Sequence, residues 1–596
     1  MSPARVTGAG PCARGQRAPL PPVVWAGCNR IGEGPVLDTV QDPVKDYDAI
    51  VIGSGVSGLT AAIVAAQGGL DVLVIEKAKV FGGTTAYSGG VAWIPNNHLM
   101  HRAGLEDSRE KAETYLRAVL GNYYDEAKID AFLEYGPKML EHMEATTELE
   151  FLVAPTPDYE PDKPCAYHSR GVLVREFDGT KLGDHLKLLR QPLDTLTVLG
   201  GMQVAGADIT PLRTAFQSGA SFAYTTKTVL RYARQKVTHG RATRLVSGNA
   251  LAGRLLKSAL DAGVTLWNDC PALELLKSGD RVTGVRVRRA GRELALTARR
   301  AVVLASGGFG ANEERRKEFM PNPAHHRSIQ PAENVGDGAT MGESAGGTLV
   351  RDNPMNAIFI PISEHRGADG RMQRFPHIMI DRYMPGSIAV NQAGERFVNE
   401  GLSYQHYVTT MHAEGMDRSF LIGDRTFLRR YGMGLVRPFP YRIGKWLKNG
   451  YLTEGRTIED LAGKLGIDPA RLKATVERFN GMARKGADDD FGRGADAHSR
   501  FRGDQTVKPN PSLAPLETGP FYSITLYPGD LSSVAGLDTD ARARVLGQDG
   551  RPMQGLYAVG LDMNSMTKGM YPAGGSSLGP GLTFGYIAGL DIAALP

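Results

Sequence analysis

Three glycines early in the chain have the spacing of a diphosphate-binding turn. Gly53, Gly55 and Gly58 form G-x-G-x-x-G. The first glycine of such a motif allows a tight turn, the second lets the backbone approach a pyrophosphate, and the third lets a helix pack closely on a strand. Glu76 follows at about the twenty-residue spacing at which an acid accepts hydrogen bonds from a ribose hydroxyl. These residues predict a dinucleotide site.

The segments around these residues predict the elements that position them. Residues 48–52 and 71–75 are short, almost continuous apolar runs, which are typical of buried parallel strands. Residues 59–67 are rich in alanine and predict a crossover helix, whose N-terminus would present free N–H groups and a positive dipole end to a diphosphate. A lone glycine motif is weak evidence. The strand, motif, helix, strand and terminal acid in this order predict a dinucleotide-binding unit.

Length and composition exclude several classes of protein. The 596 residues are too many for one compact core, and 42% hydrophobic and 22% charged residues are typical of a soluble globular protein. A net charge of +5 does not predict binding to nucleic acid or to a membrane surface. No apolar run reaches about 18 residues, so we expect no integral membrane segment.

The cysteines indicate the cellular compartment, and the first 45 residues bear on whether the chain carries a signal peptide. The four cysteines include no C-x-x-C pair, which favours a reducing, cytoplasmic location and argues against a zinc or iron–sulfur site. Residues 1–45 are rich in Pro, Gly, Ala and Arg, and their longest apolar stretch is too short for a signal peptide. We expect them to form a disordered or loosely attached leader without chemistry.

A second glycine-rich loop follows Glu76. Residues 82–90 read GGTTAYSGG, and a fold that binds only NAD does not need such a loop. The segment resembles the GG-x-[ST]-x-x-[SA]-G-G element of flavoproteins with two dinucleotide-binding domains, in the fumarate reductase and 3-ketosteroid dehydrogenase superfamily. The resemblance implies that the loop lies along the diphosphate and isoalloxazine of FAD. Relatives with covalent flavin have a histidine in this region; this loop has none, so we expect FAD to be bound non-covalently.

Later segments resemble further parts of the same FAD-binding domain. Residues 300–310 join a buried strand to S-G-G-F-G, residues 336–338 read G-D-G, and residues 571–579 lead into a predicted helix over 581–594. In the family that helix N-terminus faces the pyrimidine end of the flavin, where its dipole stabilises negative charge. Asp562 is assigned to the ribityl chain. The residues expected to contact FAD are Gly53, Ser54, Gly55, Val56, Ser57, Gly58, Glu76, Lys77, Gly82, Gly83, Thr84, Thr85, Ser88, Gly89, Gly90, Ala272, Gly307, Gly308, Asp337, Asp562, Ser577 and Leu578.

The order of these segments implies an α/β fold with an insertion. The resemblance covers nearly the whole chain after residue 46 and implies a Rossmann-like FAD-binding domain with an inserted α+β substrate-capping domain. We divide the chain into the leader 1–45, FAD-binding residues 46–345 and 529–596, and the insertion 346–528. Within the insertion, residues 484–506 are charged and glycine-rich and are expected to form an exposed loop.

Tyrosine motifs point to the substrate chemistry. N-E-x-x-x-Y ending at Tyr404 and Y-P-x-x-G from Tyr571 to Gly575 resemble those of 3-ketosteroid Δ1-dehydrogenases, and Tyr159 in P-D-Y-x-P resembles a third tyrosine of that family. The resemblance implies that Tyr571 and the Gly575 N–H hold a keto oxygen, while Tyr404, alone or in a relay with Tyr159, removes a proton from the adjacent carbon. Hydride would pass to flavin N5, giving a 1,2-desaturated ketone, and a quinone or similar acceptor would take the electrons. Because a free phenol has a pKa of about 10, we expect the site to lower the pKa of the base.

Two other functions fit parts of the sequence. A fumarate reductase-like enzyme would share G-E-R-F-V-N-E at residues 394–400, but it needs arginines and histidines to hold a dicarboxylate, and the next arginine along the chain is Arg418. A flavin-binding subunit without its own activity would rely on a partner for the chemistry. The tyrosine motifs favour the dehydrogenase, with a steroid, a degraded steroid or another cyclic ketone as its substrate.

Overall fold

The computed structural model describes residues 46–367, 370–378, 381–438 and 441–596. The predicted leader, residues 1–45, lies outside the described residues. Within these ranges strands and helices alternate around two large sheets, as the predicted α/β class requires.

An eight-stranded sheet carries the glycine-rich turn. Tyr47–Ile52 lies in its middle and pairs in parallel with Val72–Ile75 on one side and Arg292–Leu304 on the other. The main path through the sheet is Arg544–Leu546, Pro552–Ala558, Arg292–Leu304, Tyr47–Ile52, Val72–Ile75 and Thr265–Trp267. Ala272–Ser278 and Arg281–Arg289 extend it as an antiparallel meander. The predicted strand–turn–strand unit therefore forms the centre of this sheet.

Helix Val56–Gln67 follows the turn and packs along the last helix, Leu578–Ala593. Small residues let the two helices approach closely, because a Cβ added to Gly585 would lie 2.5 Å from the Ser57 carbonyl oxygen. This packing brings the two ends of the described chain together.

The other helices before residue 346 are His98–Arg102, Arg109–Leu120, Glu126–Thr146, Gly206–Arg213, Gly219–His239, Ser247–Asp261, Glu313–Phe319 and Asp337–Ser344.

Two small antiparallel sheets lie beside this half. One contains Val91–Trp93, Gly171–Val174 and Phe151–Ala154, and the other pairs Phe177–Asp178 with Arg244–Leu245. The first of them carries Trp93 against the segment that contains Gly575, since the Trp93 N–H donates to the Gly575 carbonyl at 3.1 Å.

A seven-stranded, mostly antiparallel sheet forms the second half. Its strands are Met372–Pro376, Ala357–Arg366, Phe521–Ser533, Ser419–Asp424, Ser387–Val390, Arg327–Ser328 and Thr453–Gly455. Its helices are Tyr404–Ala413, Arg425–Tyr431, Gly444–Lys448, Ile458–Leu465, Pro469–Lys485 and Ala497–Arg502. The strand Phe521–Ser533 crosses residue 528, where we placed a domain boundary, so the division of the chain stays a prediction.

The charged segment 484–506 is not the exposed loop that we predicted. It contains helix Ala497–Arg502, and the side chains of Arg493 and His498 are fully buried. Arg493 lies 3.2 Å from the buried carboxylate of Glu400. A buried charge needs a partner, and the partner here is distant in sequence. The prediction of an exposed loop, which was made from local composition, is therefore wrong.

Candidate active site

A cavity of about 240 Å³ lies between the glycine-rich loops and the second sheet. Most residues predicted to contact FAD line it, together with the tyrosines and Gly575. The predicted cofactor residues in its wall are Gly53, Ser54, Gly55, Val56, Ser57, Glu76, Lys77, Gly83, Thr84, Thr85, Ser88, Gly89, Ala272, Gly307, Asp337, Ser577 and Leu578. The fold thus collects them from both ends of the described chain.

The turn that contains the glycine motif fits a diphosphate. Gly53 has φ +113°, and a Cβ there would lie 2.1 Å from the Ala305 carbonyl oxygen. A Cβ on Gly58 would lie 2.2 Å from the Gly53 carbonyl oxygen, so the helix packs tightly on the turn. A Cβ on Gly55 would meet only Thr85 Oγ1, at 3.8 Å. The backbone at Gly55 therefore faces open space in the cavity, where the helix begins without a side-chain cap.

Glu76 ends the second strand and ties the turn together. Its carboxylate accepts hydrogen bonds from the Ser54 N–H and hydroxyl at 3.1 and 2.6 Å, and from the Ala78 N–H at 2.9 Å. It also lines the cavity. Beside it, Lys77 pairs with Asp337 at 2.5 Å. An acid and a cation beside a helix N-terminus whose N-cap residue is Gly55 suit the adenosine diphosphate half of FAD; the contact from Glu76 to ribose stays a prediction.

Five residues predicted to contact FAD are not in the cavity wall: Gly58, Gly82, Gly90, Gly308 and Asp562. The glycines allow close packing behind the wall; a Cβ on Gly308 would lie 1.8 Å from Ser533 Oγ. Asp562 is fully buried and accepts hydrogen bonds from the Ser306 N–H and hydroxyl at 2.5 and 3.1 Å. Burial raises the pKa of Asp562 to about 7. These residues hold the wall in place rather than face the cavity.

Three buried tyrosine rings converge in the same cavity. The ring centroids of Tyr159 and Tyr404 are 5.6 Å apart, those of Tyr159 and Tyr571 are 5.8 Å apart, and those of Tyr404 and Tyr571 are 5.8 Å apart. All three line the cavity with Gly575. The structure therefore brings together all four residues that the sequence predicted to act on the substrate.

Tyr404 is held in place by a helix cap and by buried charges. The Ser403 hydroxyl caps the helix that begins at Tyr404. Glu400, just before this cap, is fully buried and pairs with Arg396 at 2.8 Å. The guanidinium of Arg382 donates to the Glu400 carbonyl at 2.6 Å. The N-E part of the tyrosine motif thus positions the tyrosine through a buried ion pair.

Tyr159 is fixed by hydrogen bonds to the second tyrosine motif. Its N–H donates to the Pro572 carbonyl at 2.8 Å, and the Tyr115 hydroxyl donates to the same carbonyl at 2.6 Å. A Cβ on Gly574 would lie 2.8 Å from the Tyr159 hydroxyl. The A-G-G sequence after Tyr571-Pro572 therefore leaves room for Tyr159.

The residue before Tyr159 belongs to a buried polar network. Asp158 accepts hydrogen bonds from Trp93 Nε1 at 3.0 Å and from Arg170 at 2.8 Å. Arg170 also pairs with Asp107 at 2.8 Å. Burial raises the pKa of Asp158 to about 6. The network anchors this loop against the small three-stranded sheet.

Sequence reasoning missed two residues beside the tyrosines, His498 and Arg502. The His498 ring centroid lies 5.0 Å from that of Tyr159. Arg502 lines the cavity, and its positive charge acts on the Tyr159 phenol. Within the described ranges, Arg502 has no carboxylate partner at ion-pair distance. The i, i+4 spacing of the two residues, after Asp496 as helix cap, was the signal that could have placed both on one helical face.

Burial acts on the tyrosines in the direction opposite to our prediction. It raises the pKa of Tyr404 well above 10, and the neighbouring Tyr159 and Tyr571 raise it further. Burial also raises the pKa of Tyr159, while the positive charge of Arg502 opposes that shift. Burial therefore favours the neutral form of these phenols.

The glycine turn, the parallel sheet and the cavity define an FAD-binding oxidoreductase fold. The chain matches the FAD binding domain family over residues 48–578. It is 39% identical to 4-oxocyclohex-2-ene-1-carboxylate 5-dehydrogenase of Sinomonas cyclohexanicum, over 93% of this chain and 95% of that one. It is 35% identical to 3-oxosteroid 1-dehydrogenase of Mycolicibacterium smegmatis, over 92% and 98% of the two chains.

A solved structure gives the same result. The 3-ketosteroid Δ1-dehydrogenase of Sterolibacterium denitrificans, in complex with 1,4-androstadiene-3,17-dione, superposes with a TM-score of 0.85 at 34% identity, over 92% of this chain and 99% of that one. The chain therefore belongs to the FAD-binding family of the 3-oxosteroid 1-dehydrogenases and is an FAD-dependent dehydrogenase. The family and the fold predicted from the sequence are confirmed. Among the described residues, no helix is both long enough and apolar enough to cross a membrane.

Proposed function

We propose that this dehydrogenase introduces a 1,2 double bond into a 3-ketosteroid or a related cyclic ketone. The proposal rests on one observation. The residues that line one cavity together with the predicted FAD residues include Tyr159, Tyr404, Tyr571 and Gly575. Apolar side chains of Ile329, Ile378 and Leu531 line the same cavity. Such walls suit a hydrocarbon ring, while the tyrosines supply the polar contacts.

The keto oxygen is assigned to Tyr571 and Gly575. A phenol O–H and a backbone N–H that point at one oxygen stabilise the negative charge that develops as the neighbouring carbon loses its proton. Gly575 has φ +99°, and a Cβ there would lie 2.6 Å from the Val91 carbonyl oxygen. Only glycine places its N–H at this position without displacing the adjacent strand.

Tyr404 is assigned as the base, with Tyr159 as its relay. The ring of Tyr404 packs against those of Tyr159 and Tyr571, at centroid distances of 5.6 and 5.8 Å. A proton received at Tyr404 can pass to Tyr159, whose pKa the positive charge of Arg502 lowers. The cation stabilises the phenolate of that relay. When bound, FAD supplies the acceptor for the hydride that leaves the next carbon.

We also propose that FAD is held without a covalent bond, that a quinone or similar molecule takes the electrons, and that the enzyme works in the cytoplasm. The absence of a histidine between residues 82 and 90 supports the first point. Acid precipitation of the purified protein tests it. All flavin should appear in the supernatant, and flavin that stays with the precipitate contradicts non-covalent binding.

A ketone screen tests the reaction. The yellow protein is mixed without oxygen with 4-androstene-3,17-dione, other 3-ketosteroids and simple cyclohexanones, and bleaching of the flavin band is followed; turnover is then measured with an artificial electron acceptor. We expect bleaching by at least one cyclic ketone and a product with one more double bond. If no ketone bleaches the flavin or supports turnover, the proposal fails.

A second candidate function rests on Arg502. An arginine in the cavity could donate a proton to a carbon, as the fumarate reductase-like alternative requires. That reaction predicts that the chemically reduced flavin is reoxidised by fumarate or another enoate in the absence of oxygen. The convergence of three tyrosines with Gly575 and the apolar walls favour the dehydrogenase, and the two rates measured on one preparation decide between them.

A further inference from the structure

A second cavity, of about 230 Å³, adjoins the one that holds the tyrosines. Tyr87, Ser88, Gly89 and Ile378 line both cavities. A molecule that occupies the first cavity can therefore extend past these residues into the second. None of the catalytic tyrosines lines the second cavity, so this space receives the part of a substrate that is remote from the reacting carbons.

The second cavity is mostly apolar, with some neutral polar and a few charged groups in its wall. Leu196, Met202, Phe375 and Met433 are among the apolar side chains in its wall. The charged residues in the wall are Arg213, Asp381 and Arg437. With two cations and one acid, the wall of the cavity carries a net positive charge.

Arg437 is held with its guanidinium incompletely paired. It is in cation–π contact with Phe375, 5.1 Å from the ring centroid, and one nitrogen donates to the Thr195 carbonyl. Among the described residues, Arg437 has no carboxylate at ion-pair distance. Burial lowers the pKa of this guanidinium, while the charges of Tyr451 and Asp381 oppose that shift.

Arg213 adds a second cation from another element. It ends helix Gly206–Arg213, and its guanidinium lies 5.6 Å from the ring centroid of Tyr431. Among the described residues, it also has no acidic partner at ion-pair distance. Helix and loop thus direct two unpaired guanidinium groups to one cavity.

The acid in the wall is hydrogen-bonded to groups other than these cations. The carboxylate of Asp381 accepts hydrogen bonds from His377 Nδ1 at 2.7 Å and from the Gly434 N–H at 2.8 Å. Its other oxygen accepts from the Arg382 N–H at 2.9 Å. The charge of Asp381 acts on Arg437, but its oxygens are occupied by other donors, and no ion pair joins it to Arg437 or Arg213 within the described residues.

We propose that the second cavity binds an anionic group, a carboxylate, at the end of the substrate remote from its keto group, with Arg437 and Arg213 as the residues that recognise it. The inference rests on the proposed function, because it places the keto end at Tyr571 and Gly575. The substrate class is then a ketone on an apolar ring system that carries an acidic side chain. Arginine suits this role since its planar guanidinium forms paired, charge-assisted hydrogen bonds with carboxylates.

Matched ligands test the inference on the wild-type holoenzyme. The probes are a 3-oxo-4-ene steroid with a side-chain carboxylate and its methyl ester, which have the same rings and differ in charge. Dissociation constants come from perturbation of the flavin spectrum, and KM from turnover with an artificial acceptor. We expect the acid to bind about tenfold or more tightly than the ester, as a charge-assisted contact provides. Equal binding of acid and ester overturns the inference.

Variants assign the effect to the arginines. Arg437→Met should raise the dissociation constant of the acid about tenfold while changing that of the ester less than twofold, and Arg437→Lys should restore part of the preference. Arg213→Met should act in the same direction. Arg429→Met removes the same charge from the exposed surface and should leave the preference unchanged.

The outcomes separate this inference from the proposed reaction. If Arg437→Met and Arg213→Met keep the full preference for the acid, the arginines do not recognise it. If either variant does not fold, the acid and ester comparison on the wild-type protein still decides whether an anion is bound. If neither ligand is oxidised but the acid still perturbs the flavin more strongly than the ester, the proposed reaction fails while the anion site stands.

Discussion

The ring of Tyr404 stands almost perpendicular to the ring of Tyr159, at 83° and with 5.6 Å between the centroids. Both rings are more than nine-tenths buried, and both line the cavity that holds the FAD residues. One tyrosine begins a helix under the second sheet, and the other lies in a loop beside the FAD-binding half. The pair therefore joins the two halves of the molecule at the point where we place the proton transfer.

Removal of the Tyr404 hydroxyl should abolish turnover. Tyr404→Phe keeps the ring and its packing but removes the group that receives the proton, so we expect kcat to fall by about 10²-fold to 10⁴-fold, the usual effect of a general base. FAD content should not change. Tyr407→Phe is the matched control, because Tyr407 is buried in the same helix and bonds Ser419 outside the cavity. Turnover by Tyr404→Phe at the wild-type rate would remove this residue from the mechanism.

The rate should rise with pH well into the alkaline range. The pKa of Tyr404 is raised, so the fraction of its ionised form increases with pH throughout the accessible range. We expect log(kcat/KM) to increase by about one unit per pH unit between about pH 7 and 9. Burial lowers the pKa of His498 to about 3, so that ring stays neutral. An inflection near pH 6 would report the carboxyl of Asp158, and a flat profile above pH 7 would contradict a tyrosine base.

Loss of the Arg502 charge should shift the pH dependence of kcat/KM to higher pH. Arg502→Gln removes the positive charge that most opposes the desolvation of Tyr159, so the pKa of Tyr159 rises further and the alkaline limb of the profile moves to higher pH. On the alkaline limb the rate changes about tenfold per pH unit. We therefore expect turnover near pH 8 to fall in proportion to the ionised fraction of Tyr159. Arg500→Gln is the control, since Arg500 is exposed on the same helix. A profile for Arg502→Gln that superposes on that of Arg500→Gln would show that the charge is irrelevant to the relay.

A methyl group at the diphosphate turn should expel the cofactor. Gly58→Ala places a Cβ where it would lie 2.2 Å from the Gly53 carbonyl oxygen, which forces the helix away from the turn. We expect the purified variant to contain less than about a tenth of the wild-type flavin, since a misplaced turn removes the backbone contacts to the diphosphate. The ratio of flavin to protein absorbance measures this.

Gly481→Ala is the control for the turn variant. Gly481 lies within helix Pro469–Lys485, and an added Cβ there would meet nothing within 4 Å. Alanine in a helix is about 0.5 to 1 kcal/mol more stable than glycine, so this variant should keep its flavin and unfold at a slightly higher temperature. If Gly58→Ala binds as much FAD as Gly481→Ala, the turn does not hold the diphosphate.

The sequence by itself determined the FAD-binding half. The turn from Gly53 to Gly58, its flanking strands and Glu76 are close together along the chain, and their spacing follows from local geometry that the backbone must adopt. The tyrosine motifs could also be found, because their spacings resemble those of a known family. Composition failed at residues 484–506, where it predicted exposure for a segment that is partly buried.

Only the tertiary structure decided what surrounds the tyrosines. Arg502 meets Tyr159, and Arg437 and Arg213 share a cavity, through contacts between elements that are far apart in sequence. The sequence also could not predict the direction of the pKa shift of Tyr404, because that direction depends on how much water the fold removes from the phenol. Burial and charge pairing are properties of the assembled core, and a local pattern cannot encode them.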